Sequence, residues 1–158
     1  MKKYLIATAF AAVATATLAS GNHQGGHAQS LAGEPGREAD VTRTIEVTME
    51  ETDDGKMLYR PAAIEVKAGQ TVRLAVRNAG ETEHEFVLDT HDEIMAHKMA
   101  MEESPAMRHD EPNSVRLAPG QSGNIVWRFT AAGTLTFACL IPGHFEAGMR
   151  GDVTVVAN

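Results

Sequence analysis

The sequence predicts an all-β domain, an antiparallel sandwich or barrel of short strands with one short helix inserted among them. Three observations predict it. From Val41 onward, short stretches alternate apolar and polar residues with strand period, and turn residues punctuate them. A single segment, Asp92 to Glu103, breaks that texture by placing Ile94, His97 and Met101 at helical spacing. Once an N-terminal leader is set aside, about 130 residues remain, enough for one domain with a single core.

The leader comes first. Lys2 and Lys3 precede an Ala/Thr-rich apolar run from Tyr4 to Leu18, which reads as an export signal over residues 1–20, with small residues between 16 and 28 offering cleavage points. The run is shorter than the ~20 strongly apolar residues of a membrane anchor. It has no twin arginine and no following cysteine to take a lipid. The expected product is soluble and periplasmic, with no membrane attachment after cleavage. Residues 21–40, rich in Gly, Gln, Ser and Glu, read as a flexible N-terminal segment before a domain over 41–158. His23 and His27 lie there as a weak copper-capturing pair that a cut after Ala28 would remove.

The strands follow in order. Ile45, Val47 and Met49 alternate with Thr44, Glu46 and Thr48; Asp53-Asp54-Gly55 turns the chain into Met57-Leu58-Tyr59. Ile64 to Val66 and Val72 to Val76 flank the turn Ala68-Gly69-Gln70, and Asn78-Ala79-Gly80 closes that run. Glu85 to Leu88 and Ser114 to Leu117 are short strands on either side of the helical segment. After Pro119-Gly120 come Asn124 to Thr130, Thr134 to Cys139 and finally Val153 to Val156. Seven or eight such strands suit a sandwich or barrel.

Charge and cysteine usage narrow the function. A formal net charge of −7 argues against nucleic acid or anionic lipid as a partner. A lone cysteine in an oxidising compartment makes no internal disulfide. Here it opens the run Cys139-Leu140-Ile141-Pro142-Gly143-His144-Phe145-Glu146-Ala147-Gly148-Met149, with a histidine five residues on and a methionine five further. Thiolate, imidazole and thioether are donors that select copper, and a second histidine would complete a His₂Cys set with a weak axial Met. His84 supplies it: it follows the Asn78-Ala79-Gly80 turn and leads into Phe86-Val87-Leu88, at the end of a sheet. Cys139 ends its own strand and another resumes soon after Met149, so the loop is pinned at both ends. Pinning suits an ion whose two oxidation states prefer different geometries. Zinc is the competing metal, but structural zinc sites use paired short Cys/His spacings, and methionine is a poor zinc ligand.

With these residues in place, the chain resembles the cupredoxins. The matching features are Pro61 to Val72, then Asn78 and Gly80, then His84-Glu85-Phe86, then Cys139-x4-His144-x4-Met149, over roughly residues 41–157. The resemblance implies a Greek-key β-sandwich and one type 1 copper held by His84, Cys139, His144 and Met149. Within the family the chain looks most like the CopI-type periplasmic cupredoxins associated with copper tolerance. One departure stands out. Many electron-carrying cupredoxins have Asn or Ser directly after the first histidine, tying two ligand loops together, where this chain has Glu85.

The helical insert carries more soft donors. His91, Met95, His97, Met99, Met101, Met107 and His109 fall within nineteen residues. On a helix His91, Met95 and Met99 are successive i,i+4 neighbours, as are His97 and Met101. Thioethers and imidazoles without a thiolate suit Cu(I), so the insert is a candidate second, labile copper site; alternatively its methionines pack the helix onto the sandwich.

Two functions result as expectations. One is a copper-handling protein that binds copper, cycles Cu(I)/Cu(II) and supports tolerance. The other is an electron carrier docking its redox partner near His144 through Leu140, Ile141, Pro142 and Phe145. A conventional copper enzyme is not expected, because no two of the seven histidines are spaced H-x-H and Ala138, not histidine, precedes Cys139.

Overall fold

The computed structural model describes residues 33–104 and 111–158. The leader, His23, His27, Met107 and His109 lie outside the described residues. Among the described residues, ten strands form two five-stranded sheets packed face to face, accompanied by one α-helix and one short 3-10 turn (Glu38–Asp40). The first sheet contains β1 (Glu34–Pro35), β2 (Arg43–Glu51), β3 (Met57–Arg60), β5 (Thr71–Asn78) and β8 (Ser122–Arg128), in the order β1-β8-β5-β2-β3. The second holds β4 (Ala63–Lys67), β6 (His84–Asp89), β7 (Ser114–Leu117), β9 (Gly133–Ala138) and β10 (Arg150–Val156), in the order β4-β10-β9-β6-β7. The all-β sandwich with a short helical insert is therefore the fold.

Most pairings are antiparallel, but β2 with β5 and β4 with β10 are parallel. Parallel neighbours need a connection that leaves and returns. The chain supplies one between β2 and β5 by running through β3 and then across to β4 in the other sheet. Main-chain pairing also begins upstream of residue 41: Glu34 and Pro35 pair with Arg128 and Trp127.

The strand alternation fixes which side chains face inward. Ile45, Val47 and Met49 of β2 are buried between the sheets, as are Val72, Leu74 and Val76 of β5. From the second sheet, Phe86, Leu88, Leu135, Phe137, Val153 and Val155 meet them. Phe86 and Phe137 stack at 5.0 Å, and Tyr59 sits edge-on to both.

β6 is buried on both sides, and the helix explains why. Helix α1 (His91–Glu103) packs on β6 and β9 and forms a second apolar cluster in which Ile94 and Met101 meet Val87, Ala138, Leu140 and Phe145. Its start is set by Thr90, whose side chain accepts a hydrogen bond from the Glu93 N–H. Asp92 and Glu93 favour the positive end of the helix dipole. Its end comes at Ser104, directly before Pro105 in the sequence, and the residue before a proline is biased out of helix. Among the described residues, no helix is long and apolar enough to cross a membrane.

Candidate metal centre

Three strand ends converge at one edge of the sandwich. His84 opens β6, Cys139 follows the last residue of β9, and Met149 precedes the first of β10. The ladder sets their relation: β6 and β9 are antiparallel with Val87 opposite Ala138, while Arg150 of β10 sits opposite Ala138 from the other side. Cys139 has the inward parity of Leu135 and Phe137, and His84 that of Phe86 and Leu88. Both ligand-type side chains therefore point into the end of the core.

The loop from Cys139 to Met149 is closed by its own main chain. Cys139 N–H donates to the Met149 carbonyl at 3.1 Å, and Met149 N–H donates to the His144 carbonyl at 3.0 Å. His144, Ala147 and Gly148 donate to the carbonyls of Ile141, Gly143 and Phe145. Gly143 and Gly148 take φ of 90° and 103°, a left-handed backbone that suits glycine. The spacing of five and five thus folds back and brings His144 over Cys139.

The resulting geometry is tight. His84 Nδ1 lies 3.1 Å from His144 Nδ1, and Cys139 Sγ lies 3.3 Å from His144 Nδ1. The ligand atoms of His84, Cys139 and His144 all lie within 4.8 Å of one another, the arrangement of a metal-holding group. His84, Cys139 and Met149 are fully buried, whereas His144 is half-buried. Burial pushes the Cys139 thiol up to about 12 and lowers both imidazoles, with His84 lowering His144 further. Neutral imidazoles are metal-ready donors, and a metal would have to displace the thiol proton.

Around these donors sits a set of polar supports. Glu85 bridges the two ligand segments: its N–H donates to Cys139 Sγ at 3.4 Å and its Oε1 accepts from Leu140 N–H at 2.9 Å. The position that departs from the Asn/Ser pattern therefore still ties the segments, with a carboxylate. Tyr59 donates its hydroxyl to the Glu85 carbonyl at 2.5 Å. Asn78 fastens the preceding turn by donating to the carbonyls of Thr82 and Leu117 and accepting from Gly80 N–H.

Sequence reasoning missed Glu51. Its Oε1 lies 3.0 Å from His84 Nε2, while the other ring nitrogen, Nδ1, faces His144. Burial alone would raise this carboxyl, but hydrogen bonds from the Thr82 hydroxyl and the Glu81 and Thr82 N–H groups, with His84 beside it, bring it to about 2. The signal was readable: Glu51 continues the inward parity of Ile45, Val47 and Met49, an odd place for an acid.

The insert is divided in its roles. Met101 is fully buried beside Ile94, Met95 is half-buried against the same cluster, and Met99 is 63% exposed. His91 is exposed and His97 half-buried. Among the described residues, only His84, Cys139 and His144 form a close group of three His, Cys, Asp or Glu donors. The apolar patch expected around His144 also needs correction. Leu140 is 1% and Phe145 8% exposed, because helix α1 covers them, so only Ile141 and Pro142 of the four reach the surface. Lys98 of the helix further closes this face by pairing with Glu146 at 2.7 Å.

Residues 45–156 match the family model of copper binding proteins of the plastocyanin/azurin family. The chain is 49% identical over 136 residues to the copper-resistant cuproprotein CopI of Rubrivivax gelatinosus, covering 84% of this chain and 80% of that one. It is 38% identical over 158 residues to the copper-resistant cuproprotein CopI of Pseudomonas aeruginosa, covering 82% and 84%. Among solved structures, auracyanin B superposes with a TM-score of 0.62 at 26% identity, over 79% of this chain and 96% of that one.

Proposed function

The chain belongs to the plastocyanin/azurin family of copper-binding proteins, and we propose that it works in the periplasm, cycling one type 1 copper between Cu(I) and Cu(II) in support of copper tolerance. The proposed ligands are His84, Cys139, His144 and Met149. The observation that carries the reading is the meeting of two imidazole Nδ1 atoms and one thiol sulfur at 3.1 and 3.3 Å, beside a buried methionine.

The donor set fits copper. Two neutral imidazoles, a thiolate and a thioether match the ligand softness of a type 1 site. Bound copper supplies a one-electron couple there. The chain's own groups do the rest: Cys139 gives up its proton on loading, the Glu85 N–H steadies the sulfur, and Phe86, Phe137 and Met149 keep water from the inner side. A pinned ligand loop limits movement between oxidation states.

Tolerance is favoured over electron carriage by two features. Relatives at 49% and 38% identity are named copper-resistant proteins. Helix α1 also occupies the flank of the ligand loop and removes Leu140 and Phe145 from any docking surface. A strain lacking the protein is expected to fail under copper stress and to recover with the wild-type chain but not with Cys139→Ser. Normal growth under copper together with loss of a respiratory activity would replace this reading with that of a carrier.

A further inference from the structure

Glu51 holds more contacts than a loop brace requires. It is the last residue of β2, at an inward position, and its carboxylate gathers donors from the segment that precedes His84. Oε2 accepts from Glu81 N–H at 2.9 Å, and Oε1 accepts from Thr82 N–H at 3.0 Å and the Thr82 hydroxyl at 2.6 Å. Those three bonds already secure the loop. The fourth contact, Oε1 to His84 Nε2 at 3.0 Å, reaches the fully buried imidazole itself. Room for it is made by Gly80, where a Cβ would overlap the Glu51 carboxylate.

We propose that Glu51 is a positioning residue for the metal centre: it holds the His84 proton on Nε2, leaves the Nδ1 lone pair facing Cys139 and His144, and biases the centre toward Cu(II). The proposal rests on the reading above that His84 is a ligand. A neutral imidazole has one N–H, and a carboxylate accepting it decides the tautomer and raises the basicity of the other nitrogen. A fixed negative charge across the ring also favours the more positive oxidation state, since attraction grows with the charge of the ion.

Two variants separate charge from position. Glu51→Gln keeps a carbonyl acceptor and removes the charge. Gly80→Ala keeps the charge and displaces the carboxylate, at a glycine whose φ is not in the left-handed region. In the metal-free protein, ¹⁵N NMR is expected to show His84 protonated on Nε2 in wild type and a tautomer mixture in Gly80→Ala. On loading, chelator competition is expected to show Cu(II) affinity lowered roughly 10–100-fold in both variants, with Cu(I) affinity reduced less. The reduction potential then rises.

An unchanged Cu(II)/Cu(I) affinity ratio in both variants, with thermal stability lowered, would reduce Glu51 to a loop brace and overturn the proposal. Should Glu51→Gln fail to fold, Gly80→Ala still tests the positioning role through the His84 tautomer and the Cu(II)/Cu(I) affinity ratio. His84→Ala tests the underlying ligand reading separately: wild-type copper affinity in that variant would remove His84 from the site, whatever Glu51 does.

Discussion

The loop from Cys139 to Met149 and helix α1 carry the same donor types, histidine and methionine, and the fold uses them differently. In the loop, Cys139 and Met149 sit where strands end and His144 lies between them, and main-chain bonds between Cys139, His144 and Met149 decide where the side chains go. In the helix, regular spacing gives a row of donors, but the apolar surface of β6 and β9 takes Met101 and half of Met95 for packing. Met99, one turn from Met95, is left to solvent. A soft side chain becomes a ligand candidate when pairing on both sides fixes its direction toward other donors. Otherwise nearby apolar surface claims it.

Substitutions can break or sharpen that contrast. The largest effect is expected on the loop: His144→Ala should abolish retention of copper against a competing chelator, while the metal-free protein melts close to wild type because His144 is only half-buried. In the helix the consequence should invert. Met101→Ala is expected to cost about 2–5 kcal/mol by urea unfolding of the metal-free protein, with one copper still bound per chain. Copper lost in step with ligand removal, but stability intact, would make Met101 a donor after all.

Glu85 lies between the two regions, and Glu85→Ala removes the acceptor of the buried Leu140 N–H. It should destabilise the metal-free protein by about 1–3 kcal/mol and alter the visible spectrum of the loaded one. The smallest effect belongs to Met99→Ser, expected within about 0.5 kcal/mol of wild type as an exposed substitution. Cu(I) titration against a chelator should give one tightly held ion per chain. A second retained equivalent, lost when His91, Met95 and Met99 are replaced by alanine, would give the helix a ligand role.

Much of this was legible from residue order, for identifiable reasons. Period-two alternation marks strands because each residue step reverses the face, and His84, Cys139 and Met149 fell at strand ends, with His144 in the loop between two of them. The helix begins one residue before the expected Asp92; Thr90 with Glu93 three residues later was the signal for that start. The parallel pairings of β2 with β5 and β4 with β10 were not legible, since alternation reports which face is buried and not which strand is adjacent. The same limit explains Leu140 and Phe145. Apolar residues near a half-exposed histidine resemble a docking patch until the position of helix α1 is known. Glu51 could have been found, because its parity follows from the sequence, but only the folded β2 shows that the inward direction ends at His84.

The proposed function requires one copper ion bound through the Cys139 thiolate with His84, His144 and Met149 around it. Adding Cu(II) to the purified protein and recording the visible spectrum tests it most directly. An intense thiolate-to-copper charge-transfer band saturating at one equivalent, and absent from Cys139→Ser, is the predicted result. A Cys139→Ser protein that keeps the band, or a wild-type protein that binds copper without one, would contradict it.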